Sequence, residues 1–209
     1  MIAYIIICLL FGYIFGCFNT GFVIGKLYNV DIRQYGSKSS GTTNALRTLG
    51  AKAGLLTLLG DMLKAIIPIL LVRHIIFPDS EYVKLLILYT GLGVVLGHNY
   101  PAWMKFKGGK GIAATAGAMA SFDPWLIPIG LPIFVISVAI TRYVSVGSLL
   151  ISLLFPIWIA VRYPGEIHML LVALIYTILA FIKHRSNIIR LLNGTENKLG
   201  QRVKIDNNK

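Results

Sequence analysis

Acidic side chains are scarce in this sequence. Eight Asp and Glu stand against twenty Lys and Arg in 209 residues, and all charged residues together make up only 13%. A soluble domain carries about 25%, so a soluble globule is excluded. Cysteine is nearly absent, with only Cys8 and Cys17. On one helix they would lie roughly 13 Å apart along the axis, too far to bridge each other. No Cys/His cluster has zinc spacing, so neither metal nor cofactor is expected. There is no Pro-rich linker, and no polar stretch is long enough for a separate domain. Residues 1–209 are therefore expected to form a single polytopic membrane domain.

The rest is mostly apolar: 56% hydrophobic residues and a mean hydropathy of +0.74. Apolar runs cover residues 2–24, 51–77, 82–97, 112–121, 124–140, 144–161 and 167–182. Runs of this kind read as membrane helices, which need about 20 residues to cross. Several are short, and the third and fourth are expected as partial spans buried by neighbours. No basic residue precedes the first run, so it is expected to stay as a span and not to be cleaved as a signal.

Asp123-Pro124 splits residues 112–140, because the residue before proline is pushed out of the helical region. Charge parity supports the split. With seven spans and the N-terminus outside, nine cations from Lys26 to Arg142 fall in inner loops. Seven more, from Lys183 to Lys209, fall in an inner tail. Only Arg73, Lys84 and Arg162 fall outside. The expectation is an all-α integral membrane protein of about seven transmembrane helices, some short, N-terminus outside and C-terminus cytoplasmic. The same placement accounts for the net charge of +12 without a nucleic-acid partner.

Three polar patches interrupt the apolar runs, all on the inner side of this topology. The first runs from Tyr35 to Arg47 and contains Gly36, Ser37, Gly41, Thr43 and Asn44. Its hydroxyls precede a helix start, where free N–H groups bind anions. The second joins Gly97-His98 to Lys107-Gly108-Gly109-Lys110-Gly111. Glycines let backbone N–H groups approach phosphate, and lysine adds a point charge. It is not a Walker A loop, since the GxxxxG spacing is missing. The third places His184 and Asn187 three apart, then Gly194 and Glu196. Glu196 stands among cations and reads as a structural ion pair. Asp61 and Lys64, also three apart but deep in the second run, read as a paired, fold-stabilising couple. Taken together, the patches suit an anionic phosphate substrate.

These patches resemble the bacterial acyl-phosphate-dependent glycerol-3-phosphate acyltransferases, the PlsY family, nearly end to end. Gly36-Ser37 through Gly41-Thr42-Thr43-Asn44 and Arg47, with Gly60-Asp61, is similar to the first family motif. Gly97-His98, Pro101 and Phe106-Lys107-Gly108-Gly109-Lys110-Gly111 is similar to the second, and His184, Asn187, Arg190-Leu191, Gly194 and Glu196 to the third. The resemblance implies transfer of a fatty acyl group from acyl-phosphate to the 1-hydroxyl of glycerol 3-phosphate. The products are lysophosphatidic acid and phosphate, the first step of phospholipid synthesis.

It also implies catalytic roles for Ser37, Arg47, His184 and Asn187, and a structural one for Glu196. The glycine loop, from Lys107 through Gly108, Gly109 and Lys110 to Gly111, is implied to bind glycerol 3-phosphate. Gly41, Thr43, Asn44 and His98 are expected at the substrates too. The implied place is the bacterial cytoplasmic membrane, with the site facing the cytoplasm. Membrane lipids and an acyl-phosphate-producing enzyme are the implied neighbours. A small transporter of anions or phosphate esters is the rival class. An acyl-CoA-dependent enzyme is disfavoured, because no His-x4-Asp motif follows His98 or His184.

Overall fold

In a computed structural model that describes residues 1–203, every regular element is helical. The helices are α1 (Ile2–Cys17), α2 (Thr20–Leu27), α3 (Thr42–Leu49), α4 (Ala51–Leu71), α5 (Val83–Asn99) and α6 (Ile112–Phe122). They continue with α7 (Leu126–Thr141), α8 (Val144–Arg162), α9 (Ile167–Lys183) and α10 (Arg185–Leu192). Each apolar run is helical. Three stretches are long and apolar enough to cross a membrane alone: Ile2–Leu27, Ala51–Ile76 and Val144–Arg162. Their outward faces are strongly apolar, as with Ile14 and Val161, which suits lipid. The chain is a membrane protein.

The first run is not a single continuous helix: it breaks at Phe18-Asn19, and α2 continues to Leu27. The break leaves the Phe18 carbonyl free, and Lys64 Nζ donates to it at 2.6 Å. Asn19 is fully buried there and ties two loops together, as described below. The break expected at Asp123-Pro124 is present. Asp123 is extended, accepts Trp158 Nε1–H at 3.0 Å, and separates α6 from α7.

α5 is the centre, buried on almost every face. α1 lies against it through four glycines at helical spacing, Gly12 and Gly16 on α1 and Gly93 and Gly97 on α5. A Cβ on any of them would strike a backbone carbonyl of the other helix. Small residues of this kind let membrane helices approach closely, where packing rather than water drives association.

α9 and α10 meet at 59°, so α10 turns away from the last apolar helix. Its exposed Ile189 and Leu192 suit the headgroup level. A cysteine at Ser39 should be labelled only from the cytoplasmic side, and one at Asp79 only from outside. Labelling of both from one side would overturn the orientation. Lys204, Asp206 and Lys209, which belong to the inner tail in that reading, lie outside the described residues.

Candidate active site

The three patches meet around one cavity of about 360 Å³. Its polar end is built from loops and helix starts. Ser37, Gly41, Thr43, Asn44 and Arg47 line it from the first patch, Lys110 and Gly111 from the second, and His184, Asn187 and Glu196 from the third. Residues at the beginnings of α3, α6, α8 and α10 all face it, and none of these helices carries a side-chain N-cap. Helix N-termini hold partial positive charge and free N–H groups. Four of them, with Arg47 and Lys110, make a strongly anion-attracting end. Thr42 Oγ1 and Arg47 Nε are buried without a partner among the described residues.

Each polar residue is held from behind. Asn44 is a staple: its Nδ2 donates to the carbonyls of Ile32 (2.7 Å), Tyr35 (3.2 Å) and Ser39 (2.8 Å), while Oδ1 accepts from the Ser37 N–H at 2.9 Å. It therefore shapes the first loop, and its amide has no donor left for a substrate. Gly36 has φ +58° and lies where a Cβ would meet Asn44 Oδ1, so this turn favours glycine. Ser37 Oγ has no base bonded to it among the described residues.

Lys110 Nζ donates to Asn187 Oδ1 at 2.5 Å, and Asn187 Nδ2 donates to Glu196 Oε1 at 2.7 Å. Glu196 also accepts from Ser145 Oγ at 3.1 Å and Arg190 Nε at 2.7 Å. Glu196 thus joins α8, α10 and, through Asn187, the glycine loop. Burial pushes the Lys110 ammonium down to about 8, with the charges of Arg190 and Arg47 adding to it and Glu196 opposing it. His184, just past α9, is pushed down to about 4, chiefly by burial and then by Lys110. It is neutral at pH 7. Its Nδ1–H donates to the Ala180 carbonyl at 2.8 Å, which leaves Nε2 as an acceptor.

The glycine loop departs from expectation. The Gly108 N–H goes to the Asn99 carbonyl and the Gly109 N–H to the His98 carbonyl, at 3.3 and 3.0 Å. Neither is free for phosphate, and neither glycine lines the cavity. A Cβ on Gly109 would collide with the His98 imidazole. Lys107 is exposed and also lies off the cavity. His98 and Asp61 do line it, from deep positions. Lys64 sits behind them, 2.9 Å from Asp61 Oδ1 and 2.7 Å from His98 Nδ1. The Asp61–Lys64 pair thus includes a third member, His98.

Two residues escaped the sequence reading. Asn19 accepts from Ser40 Oγ and donates to the His98 carbonyl at 3.2 Å, so it locks the first patch to the second. Its signal was a lone amide inside an apolar run, which is costly unless used. Ser145, under Glu196, gave no signal beyond its place at a helix start.

The cavity's other end is apolar. Leu58 and Met62 of α4, Ala116 and Met119 of α6, and Ile127, Leu131 and Phe134 of α7 line it. Ile127 and Leu131 are 49% and 59% exposed, so this arm opens sideways towards lipid. An anion-attracting end joined to a lipid-facing arm defines a membrane protein that handles a phosphorylated amphiphile.

Comparison with known proteins is specific. The glycerol-3-phosphate acyltransferase family model matches residues 6–194, and the chain belongs to that family. The glycerol-3-phosphate acyltransferase of Thermoanaerobacter sp. (strain X514) is 38% identical over 203 residues, covering 97% of this chain and 99% of that one. That of Clostridioides difficile (strain 630) is 41% identical over 210 residues, covering 96% and 97%. Crystal structures of PlsY (YgiH), an integral membrane glycerol 3-phosphate acyltransferase, share 34% identity over 94% of this chain and 96% of theirs. The TM-score is 0.85 for the glycerol 3-phosphate form and 0.82 for the lysophosphatidic acid form.

Proposed function

We propose that this protein transfers a fatty acyl group from acyl-phosphate to the 1-hydroxyl of glycerol 3-phosphate at the cytoplasmic face of a bacterial inner membrane. The observation that carries the reading is the convergence of four uncapped helix N-termini with Arg47 and Lys110 at one end of a lipid-open cavity. Two phosphates need that surplus of positive charge, and a fatty chain needs the apolar arm. Family membership disfavours the transporter reading.

The geometry supports the following roles. Arg47, Lys110 and the helix N-termini hold the two phosphates side by side, which replaces an encounter of two free anions with an oriented pair. Ser37 donates a hydrogen bond. The 1-hydroxyl oxygen bonds to the acyl carbon, the carbonyl–O bond to phosphate breaks, and phosphate leaves with the electron pair. His184, at about 4, is a weaker base than a phosphate dianion, whose proton comes off near pH 6. A phosphate oxygen therefore takes the 1-hydroxyl proton, while His184 Nε2 accepts a hydrogen bond from the 2-hydroxyl and so orients glycerol 3-phosphate. Acyl-phosphate is already activated, so no acyl-enzyme is required. An acyl-phosphate-producing enzyme must supply the donor.

Purified protein given acyl-phosphate and labelled glycerol 3-phosphate should form labelled lysophosphatidic acid. Product from acyl-CoA but not from acyl-phosphate would overturn the choice of donor. Affinity should also depend on pH through Lys110. Its ammonium is present below about 8 and lost above it. The KM for glycerol 3-phosphate should rise about ten-fold per pH unit above that point. Lys110→Arg, which stays charged, should flatten the rise. An unchanged slope in that variant would remove Lys110 from phosphate binding.

A further inference from the structure

A second, smaller vestibule of about 250 Å³ lies beyond Arg47, between the α3–α4 elbow and the chain after Glu196. Thr43 and Arg47 line both it and the catalytic cavity, so the Arg47 side chain forms part of the wall between them. Arg202 lines the far side, and no carboxylate is present among the described lining residues. Arg47 is 8% exposed. Its Nη2 donates to the Asn197 carbonyl at 3.0 Å, but its Nε is buried without a partner among the described residues. An unmet donor on a buried guanidinium is costly.

Independently, α4 begins at Ala51 on the vestibule wall. It is 21 residues long and its N-terminus has no side-chain cap. The outer wall is fixed in place. The Leu199 N–H donates to the Arg142 carbonyl at 2.7 Å, and the Val203 N–H to the Arg47 carbonyl at 3.2 Å. This wall lies past residue 194, where the family match ends. Two arginines, a helix N-terminus and no acid among the described lining residues favour a compact anion.

We propose that the vestibule is a second phosphate-anion site, separate from the catalytic cavity and reached past Arg47. It takes the phosphate dianion that acyl transfer releases. This rests on the reaction proposed above, which releases free phosphate beside Arg47. A phosphate leaving the acyl carbon would pass from the catalytic face of Arg47 to its far face, and so clear the cavity for the next donor.

Inorganic phosphate is the probe, with the full chain and steady-state kinetics. Phosphate bound only in the cavity competes with a substrate and is displaced by saturating it. Phosphate in the vestibule binds alongside both substrates. The expected result is an inhibition component noncompetitive against acyl-phosphate and against glycerol 3-phosphate. Arg202→Glu should weaken that component about ten-fold or more, as loss of a charged phosphate contact does. The rate of the first turnover, before any phosphate has been released, should stay as in the parent, and Arg202→Lys should keep the component. Purely competitive inhibition, or a noncompetitive component indifferent to Arg202→Glu, would overturn the site.

A soluble short-chain phosphatidic acid forms a second arm. If it, and not inorganic phosphate, shows the Arg202-dependent effect, the anion is a lipid headgroup and release of phosphate through the vestibule is wrong. Equilibrium binding of labelled phosphate to the parent and to Arg202→Glu needs no turnover. It should show one site fewer in the variant even if the reaction assignment fails, and equal stoichiometry would overturn the site.

Discussion

Gly109→Ala should lower kcat/KM by about ten-fold or more, and most of that loss should disappear when His98 is also replaced by Ala. The new methyl has nowhere to go: His98 fills the space beside Gly109. His98 cannot retreat, because Lys64 is fixed against its Nδ1 by Asp61 and by the Phe18 carbonyl. Overpacking of this kind costs about 1–3 kcal/mol, and the strain falls on the neighbouring Lys110. Removing the imidazole opens room for the methyl. In the His98→Ala background, Gly109→Ala should therefore cost little. Additive losses would instead place the Gly109 backbone against a substrate phosphate, as the sequence reading had it.

The second large effect separates two residues of the third patch. His184→Ala should abolish most turnover while leaving the amount of folded protein in membranes unchanged. Among the described residues its ring makes one bond, to its own helix, and the remaining nitrogen has no partner. Glu196→Ala should lower the amount of folded protein. That carboxylate, 6% exposed, satisfies Ser145, Asn187 and Arg190 together. Removing one partner of a buried charge pair costs about 3–5 kcal/mol; Arg190 is partly exposed, so the lower end applies. Glu196→Gln keeps the shape and one acceptor and should recover part of the level. Equal folding of Glu196→Ala and His184→Ala, measured by detergent-solubilised monodisperse protein, would contradict this division.

The apolar runs and the three patches were legible because their signals are local. A run of apolar residues, an Asp-Pro break and a Gly-Ser-Thr cluster before a helix each carry their meaning within a few positions. What the sequence concealed depends on distant partners. Asn44 looked like a ligand group, but its amide is used up by carbonyls from Ile32 to Ser39. Gly108 and Gly109 looked like a phosphate cradle, yet their N–H groups are used by the end of α5. The break at Asn19 is set by Ser40 and by the His98 carbonyl, 21 and 79 positions away. The Gly12, Gly16, Gly93 and Gly97 contact needed both helices in view. Which residues touch substrate was therefore less legible than where the site lies.

Direct transfer within a single two-phosphate cavity is the central claim. It is tested by mixing the enzyme with acyl-labelled acyl-phosphate in the absence of glycerol 3-phosphate, quenching, and then repeating with glycerol 3-phosphate added. Direct transfer leaves no covalent label on the protein in the first case and passes all of the label into lysophosphatidic acid in the second. A labelled peptide containing Ser37, released on adding glycerol 3-phosphate, would contradict it and make the reaction a two-step transfer through a serine ester.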